Sequence, residues 1–139
     1  MDVYVEAATA LFSRLAKQHA LSYEVNIDSP FEALWTFPNQ RNLLMPVTLG
    51  SRSDELSFGV ADFWSDLFPF EEAAPLLERI FEAWMRGDAR VVKVPLGGRA
   101  LQLRDGDKWV TTYRANCLLP VPRNPKQVIA NLAVPAASG

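Results

Sequence analysis

Apolar positions near the start of the chain recur at three- and four-residue steps: Tyr4, Ala7, Ala8, Leu11 and Leu15, with Glu6, Ser13, Arg14 and Lys17 elsewhere on the wheel. That period is helical, and Asp2 stands where a capping residue belongs, so the spacing predicts a helix to about His19. From Leu21 to Ile27 the period changes to two. Leu21, Tyr23, Val25 and Ile27 take one face and Ser22, Glu24 and Asn26 the other, the pattern of a half-buried strand. Asp28-Ser29-Pro30 signals a turn, and a short strand follows around Ala33–Phe37. Leu43–Leu49 is strand-like, but Pro46 cannot donate to a ladder, which predicts an edge or bulged strand. Gly50–Asp54 reads as a loop into Glu55–Val60, where Leu56, Phe58 and Val60 oppose Glu55, Ser57 and Gly59.

Glu71–Arg86 is the clearest helix, with Ala73, Leu76, Leu77, Ile80, Phe81 and Trp84 on one stripe. Glu71, Glu72 and Glu78 lie early and Arg79 and Arg86 late, in keeping with the helix dipole, and Gly87 is a natural stop. Pro75 is tolerable only near the first turn. Arg90–Leu96, Arg99–Arg104 and Lys108–Asn116 read as strands separated by the hairpin signals Gly97-Gly98 and Asp105-Gly106. Asn124-Pro125 opens a short helix to Leu132, and the chain from about residue 135 reads as a frayed tail. Together these predict an α+β fold: a mainly antiparallel sheet of about six or seven strands, with two main helices packed on one face. No linker divides residues 1–139, so one globular domain is expected.

Composition changes this picture little. At 139 residues, 49% of them hydrophobic and 22% charged, the chain is long and apolar enough to bury its own core. The single cysteine, Cys117, allows no intrachain disulfide. Asp2 and Glu6 occupy the region where a signal peptide carries positive charge, and no stretch reaches the ~18 apolar residues of a membrane span. A cytoplasmic protein without a membrane segment is the expectation.

The side chains point away from motif-defined catalysis. A nucleophilic Ser or Cys needs a neighbouring base, and the one histidine, His19, ends the first helix. Cys117 beside Leu118 and Leu119 suits packing better than activation, and one His with one Cys is no zinc set. Gly97-Gly98 joins two strands and lacks the spacing of a phosphate loop. Asp62 and Asp66, separated by Phe63, Trp64 and Ser65, do not form a cation loop. No catalytic residue, metal or cofactor is expected.

Charge carries more information. Asp54–Asp88 holds nine acids against Arg79 and Arg86, a net of −7, while Ala89–Lys126 holds eight bases against Asp105 and Asp107, a net of +6. Opposed blocks neutralise each other, form solvated faces, or steer a charged partner. Lys108, Trp109, Tyr113 and Arg114 interleave base and aromatic, but simple alternation places Trp109 and Tyr113 together on a core side, which argues against nucleic acid. In the segment Asp62–Phe70, four aromatics lie between a strand and the acidic helix; Trp64, flanked by two aspartates, is the one expected at the surface. The candidate partner-binding residues are therefore Asp62, Trp64, Asp66, Glu71, Glu78 and Glu82. The alternative is a small-ligand pocket between sheet and helix, lined by Trp35, Trp84 or Trp109. A homodimer through an exposed edge such as Leu43–Leu49 fits either reading.

The run Glu55-Leu56-Ser57-Phe58-Gly59, then Asp62-Phe63-Trp64, an amphipathic helix, Arg90–Val94 and Gly97-Gly98-Arg99 resembles small uncharacterised bacterial α+β domains, some grouped with immunity proteins that neutralise polymorphic toxins. The resemblance covers about residues 55–116. Those domains often carry a histidine in the aromatic segment, and this chain has none there. The helix–sheet–helix order and acidic balance are also similar to type III secretion chaperones. Both resemblances imply a cofactor-free binding protein whose partner is another protein.

Overall fold

The computed structural model describes residues 3–29 and 32–131. Asp2 as a helix cap and the tail from residue 135 lie outside the described residues. The elements run α1 (Val3–Gln18), β1 (Glu24–Ser29), β2 (Glu32–Phe37), β3 (Val47–Arg52), β4 (Glu55–Val60), β5 (Phe63–Leu67), α2 (Phe70–Arg86), β6 (Ala89–Val94), β7 (Gly98–Asp105), β8 (Lys108–Ala115) and β9 (Val128–Ile129). The fold is α+β, with nine antiparallel strands in two sheets rather than six or seven in one. β1 to β5 form a meander in chain order, and the second sheet runs β8-β7-β6-β9.

Both helices cover one side of the meander. α1 buries Val5, Ala8, Leu11, Phe12, Leu15 and Ala16, a stripe displaced from the predicted one because Ala7 faces solvent. α2 buries Ala73, Leu77, Ile80, Phe81 and Trp84. Phe12 meets Trp35 edge-on at 5.8 Å, Phe37 meets Phe81 at 5.5 Å, and Phe58 meets Trp84 at 5.7 Å. The same core cluster includes Ala89, Val91 and Leu101 of the second sheet, so α2 roofs both sheets. Gly87, at φ 82°, supplies the left-handed residue that ends α2 and donates to the carbonyls of Ala83 and Trp84. Pro75 is accommodated inside α2 on its exposed side, beyond the first turn.

Several sequence expectations change. Leu43–Leu49 is not an edge strand: β3 starts after Pro46 and lies in the middle of the meander, paired with β2 and β4. Small residues that read as a loop, Gly50 and Ser51, are strand residues, and the turn follows at Ser53-Asp54. Phe63–Leu67 is an additional strand with alternating burial. Its buried Ser65 Oγ donates to the Phe58 carbonyl at 3.0 Å and accepts from the Phe58 N–H, which stitches β5 to β4. No helix forms over residues 124–131. The β-branched pair Val128-Ile129 instead extends the second sheet from the free side of β6, with Lys93 N–H donating to the Gln127 carbonyl. The edges of the meander are β1 and β5. On and just before β1 the apolar side chains Tyr23, Val25 and Ile27 stay exposed, although Tyr23 stacks on Trp35 at 4.5 Å.

A bulge in β8 overturns the expected sidedness of the last strand. Trp109 pairs with Arg104 and Thr111 with Gln102, but Tyr113 pairs with Leu101, so one extra residue intervenes. Trp109 and Tyr113 therefore point to opposite sides. Tyr113 faces inward against Phe63, while Trp109 lies outward with Arg90, Arg104 and Arg114. Among the described residues no helix is long and apolar enough to cross a membrane.

Candidate functional site

The side of the meander away from the helices is open. Cross-strand register places three rows on it: Glu24, Thr36, Thr48, Gly59 and Trp64; then Asn26, Leu34, Gly50, Ser57 and Asp66; then Glu32, Arg52 and Glu55. Four acids thus share this face with one arginine, and Arg52 is itself engaged by Glu32 at 2.9 Å. Only Leu34 and Trp64 are large and apolar.

Trp64 belongs to the edge strand β5, but its ring reaches inward over β4 toward β3. It is 42% exposed, and its indole lies flat across the neighbouring strand. A Cβ on Gly59 would sit 2.4 Å from Trp64 Cε3, and one on Gly50 would sit 3.7 Å from Cη2, so glycine makes the bed on which the ring rests. Trp64 Nε1–H donates to Asp66 Oδ1 at 3.1 Å, and Ser57 Oγ donates to the same oxygen at 3.0 Å. The ring and the carboxylate are therefore fixed relative to each other before any partner arrives. From β8, the Tyr113 hydroxyl accepts the Asp66 backbone N–H at 3.1 Å and covers part of the free edge of β5. A shallow depression of about 290 Å³ beside the indole is lined by Glu32, Arg52, Glu55, Ser57 and Asp66.

The six residues singled out from sequence do not form one surface. Trp64 and Asp66 lie on the open face. Asp62, in the β4–β5 turn, is held by Arg99 of β7 through two bonds of 3.0 and 2.6 Å. The Arg99 hydrogen bond keeps the Asp62 carboxyl below its usual value. Glu71, Glu78 and Glu82 belong to α2, on the other side of the sheet. Glu78 pairs with Arg14 of α1 at 2.8 and 2.9 Å, and the hydrogen bond from Arg14 likewise lowers its carboxyl. Glu82 Oε1 lies 3.0 Å from His19 Nε2, which gives the lone histidine a place between the helices. Of the three, only Glu71 is left exposed without a described ion pair.

Of three acids that sequence reasoning did not nominate, Glu32 and Glu55 line the depression beside Trp64, and Glu24 stands on the same face at its opposite edge. Their signal was present in part: Glu24 and Glu55 sit on the polar side of alternating strands. What was missing was the strand order that brings those sides together. Of the tryptophans expected around a pocket between sheet and helix, two lie between them but within the packed core. Trp35 and Trp84 are buried in the core, and Trp109 lies on the outer face of the second sheet. Cys117 is half-buried, and its thiol donates to the Arg99 carbonyl at 3.3 Å.

No protein-family model, curated protein or solved structure matches this chain.

Proposed function

We propose that the chain is a non-enzymatic binding protein whose open, acidic sheet face, anchored by Trp64, engages a basic protein partner. The observation that carries this reading is the fixed pair Trp64–Asp66, with Glu32 and Glu55 lining the same depression and Glu24 on the far strand of the same face. An aromatic anchor held in position loses little freedom on association, and tryptophan is the residue type most enriched among interface hot spots. The surrounding acids add steering toward a cationic surface and discrimination against acidic ones. An immunity protein facing a basic toxin domain has this chemistry, and it is the kind of partner we favour.

The test is affinity capture from the source cells with wild type, Trp64→Ala and Asp66→Lys as baits. The expected outcome is a basic protein retained by wild type, lost from both variants, and weakened by raising salt. A partner captured equally by all three baits overturns the assignment of this face.

A further inference from the structure

We propose that the outer face of β6, β7 and β8 carries a phosphate-binding site built from Arg90 and Arg104 around Trp109. The guanidinium carbon of Arg90 lies 4.2 Å from the Trp109 ring centroid and that of Arg104 lies 5.7 Å away. Both guanidinium groups are anchored by neutral acceptors through Nε alone. Arg90 Nε donates to Gln102 Oε1 at 2.8 Å, and Gln102 is steadied in turn by Thr111 Oγ1 at 3.2 Å. Arg104 Nε donates to the Gly106 carbonyl at 3.1 Å. Among the described residues the terminal Nη groups of both have no hydrogen-bond acceptor.

Among the described residues no carboxylate pairs with either. The ion pairs among the described residues use Arg14, His19, Arg52, Arg86 and Arg99, and neither Arg90 nor Arg104 takes part. Two like charges gathered at one indole disfavour each other. Burial first, and the charge of Arg104 second, hold Arg90 below its usual value. Arg114 adds a third cation on the same face and donates only to the Leu119 carbonyl. A multiply charged oxyanion relieves this repulsion and accepts from both planar forks, which is the geometry arginine supplies to phosphate. Stacking on Trp109 keeps the forks ordered, so little side-chain freedom is lost on binding.

This site is separate from the Trp64 face, and its test is independent of a protein partner. The full chain is titrated at constant ionic strength with inorganic phosphate and with a short oligothymidylate, chloride serving as the reference. The Trp109 indole N–H and the Arg90 and Arg104 Nε–H resonances are followed. We expect saturable shifts, weakened roughly tenfold or more by Arg104→Gln, because charge-assisted hydrogen bonds are lost. Trp64→Ala leaves them unchanged. Saturation by inorganic phosphate identifies a small phosphate-bearing ligand. Response to the oligomer alone identifies a phosphodiester backbone. Shifts that do not saturate with either probe, or equal affinity in a folded Arg104→Gln variant of unchanged melting temperature, overturn the proposal.

Discussion

The position of the Trp64 ring rests on an absent atom. Gly59 has no Cβ, and the indole occupies the space that one would take, 2.4 Å from Cε3. Gly59→Ala therefore lifts the ring without touching its chemistry. The expected outcome is a folded protein in which the Trp64 indole N–H no longer shows its bond to Asp66. Partner affinity falls toward that of Trp64→Ala, by about 2 kcal/mol if the indole is a hot spot. NMR of the indole N–H together with a binding titration checks both halves. Wild-type affinity in a variant with a displaced ring would show that the orientation of Trp64 is not used.

At the scale of elements, α1 and α2 are joined across their exposed edges by Arg14 and Glu78. The Glu78 carboxyl is depressed in the folded state by its Arg14 hydrogen bond. Its contribution is therefore complete above the unfolded carboxylate value and is lost as pH falls through the lower, folded one. Both side chains are over a third exposed, so the pair is worth less than about 1 kcal/mol. Glu78→Gln should unfold at slightly lower denaturant concentration near neutral pH, and the difference from wild type should shrink as pH falls below the unfolded carboxylate value and vanish once it is below the folded one.

The two helices were readable because a long 3.6-residue period survives small errors, as the displaced stripe of α1 shows. β5 was hidden because Phe63 and Trp64 are adjacent apolar residues, and a period of two is invisible when one aromatic faces the core and its neighbour faces solvent. β3 was misread from Pro46, which precedes the strand rather than interrupting it. The bulge in β8 leaves no local mark and reverses the side on which Tyr113 sits relative to Trp109. For the candidate site, Trp64 and Asp66 were legible. Their acidic neighbours depend on register between strands, which no single strand records.

For the whole molecule, the two charge blocks of the sequence are divided among several surfaces: α2 keeps Glu71, Glu72, Glu78 and Glu82, and Asp62 pairs with Arg99. The acidic open side of the meander draws on Glu24 and Glu32 as well as the acidic block, while the outer side of the second sheet gathers Arg90, Arg104 and Arg114. Between them runs α2, packed on both. The far ends of the two sheets are also joined by a single buried residue. Asn131, 1% exposed, donates through Nδ2 to the Asn42 carbonyl at 3.0 Å and accepts the Leu44 N–H at 3.1 Å. Asn131→Ala strips both backbone groups of their partner and should cost about 1–3 kcal/mol. Chemical denaturation measures the loss, and a change within about 0.5 kcal/mol would mean that the two groups find other partners.

This clip bears on the order in which the protein is made. A nascent chain that has left the ribosome as far as residue 120 contains both helices and eight strands. It still lacks the β9 pairing that closes β6 and the side chain that pins residues 42 and 44 ahead of β3. Domains begin to fold from the N-terminal side during synthesis. The loop ahead of β3 therefore gains this fastening only when an amide encoded almost ninety codons later has been made.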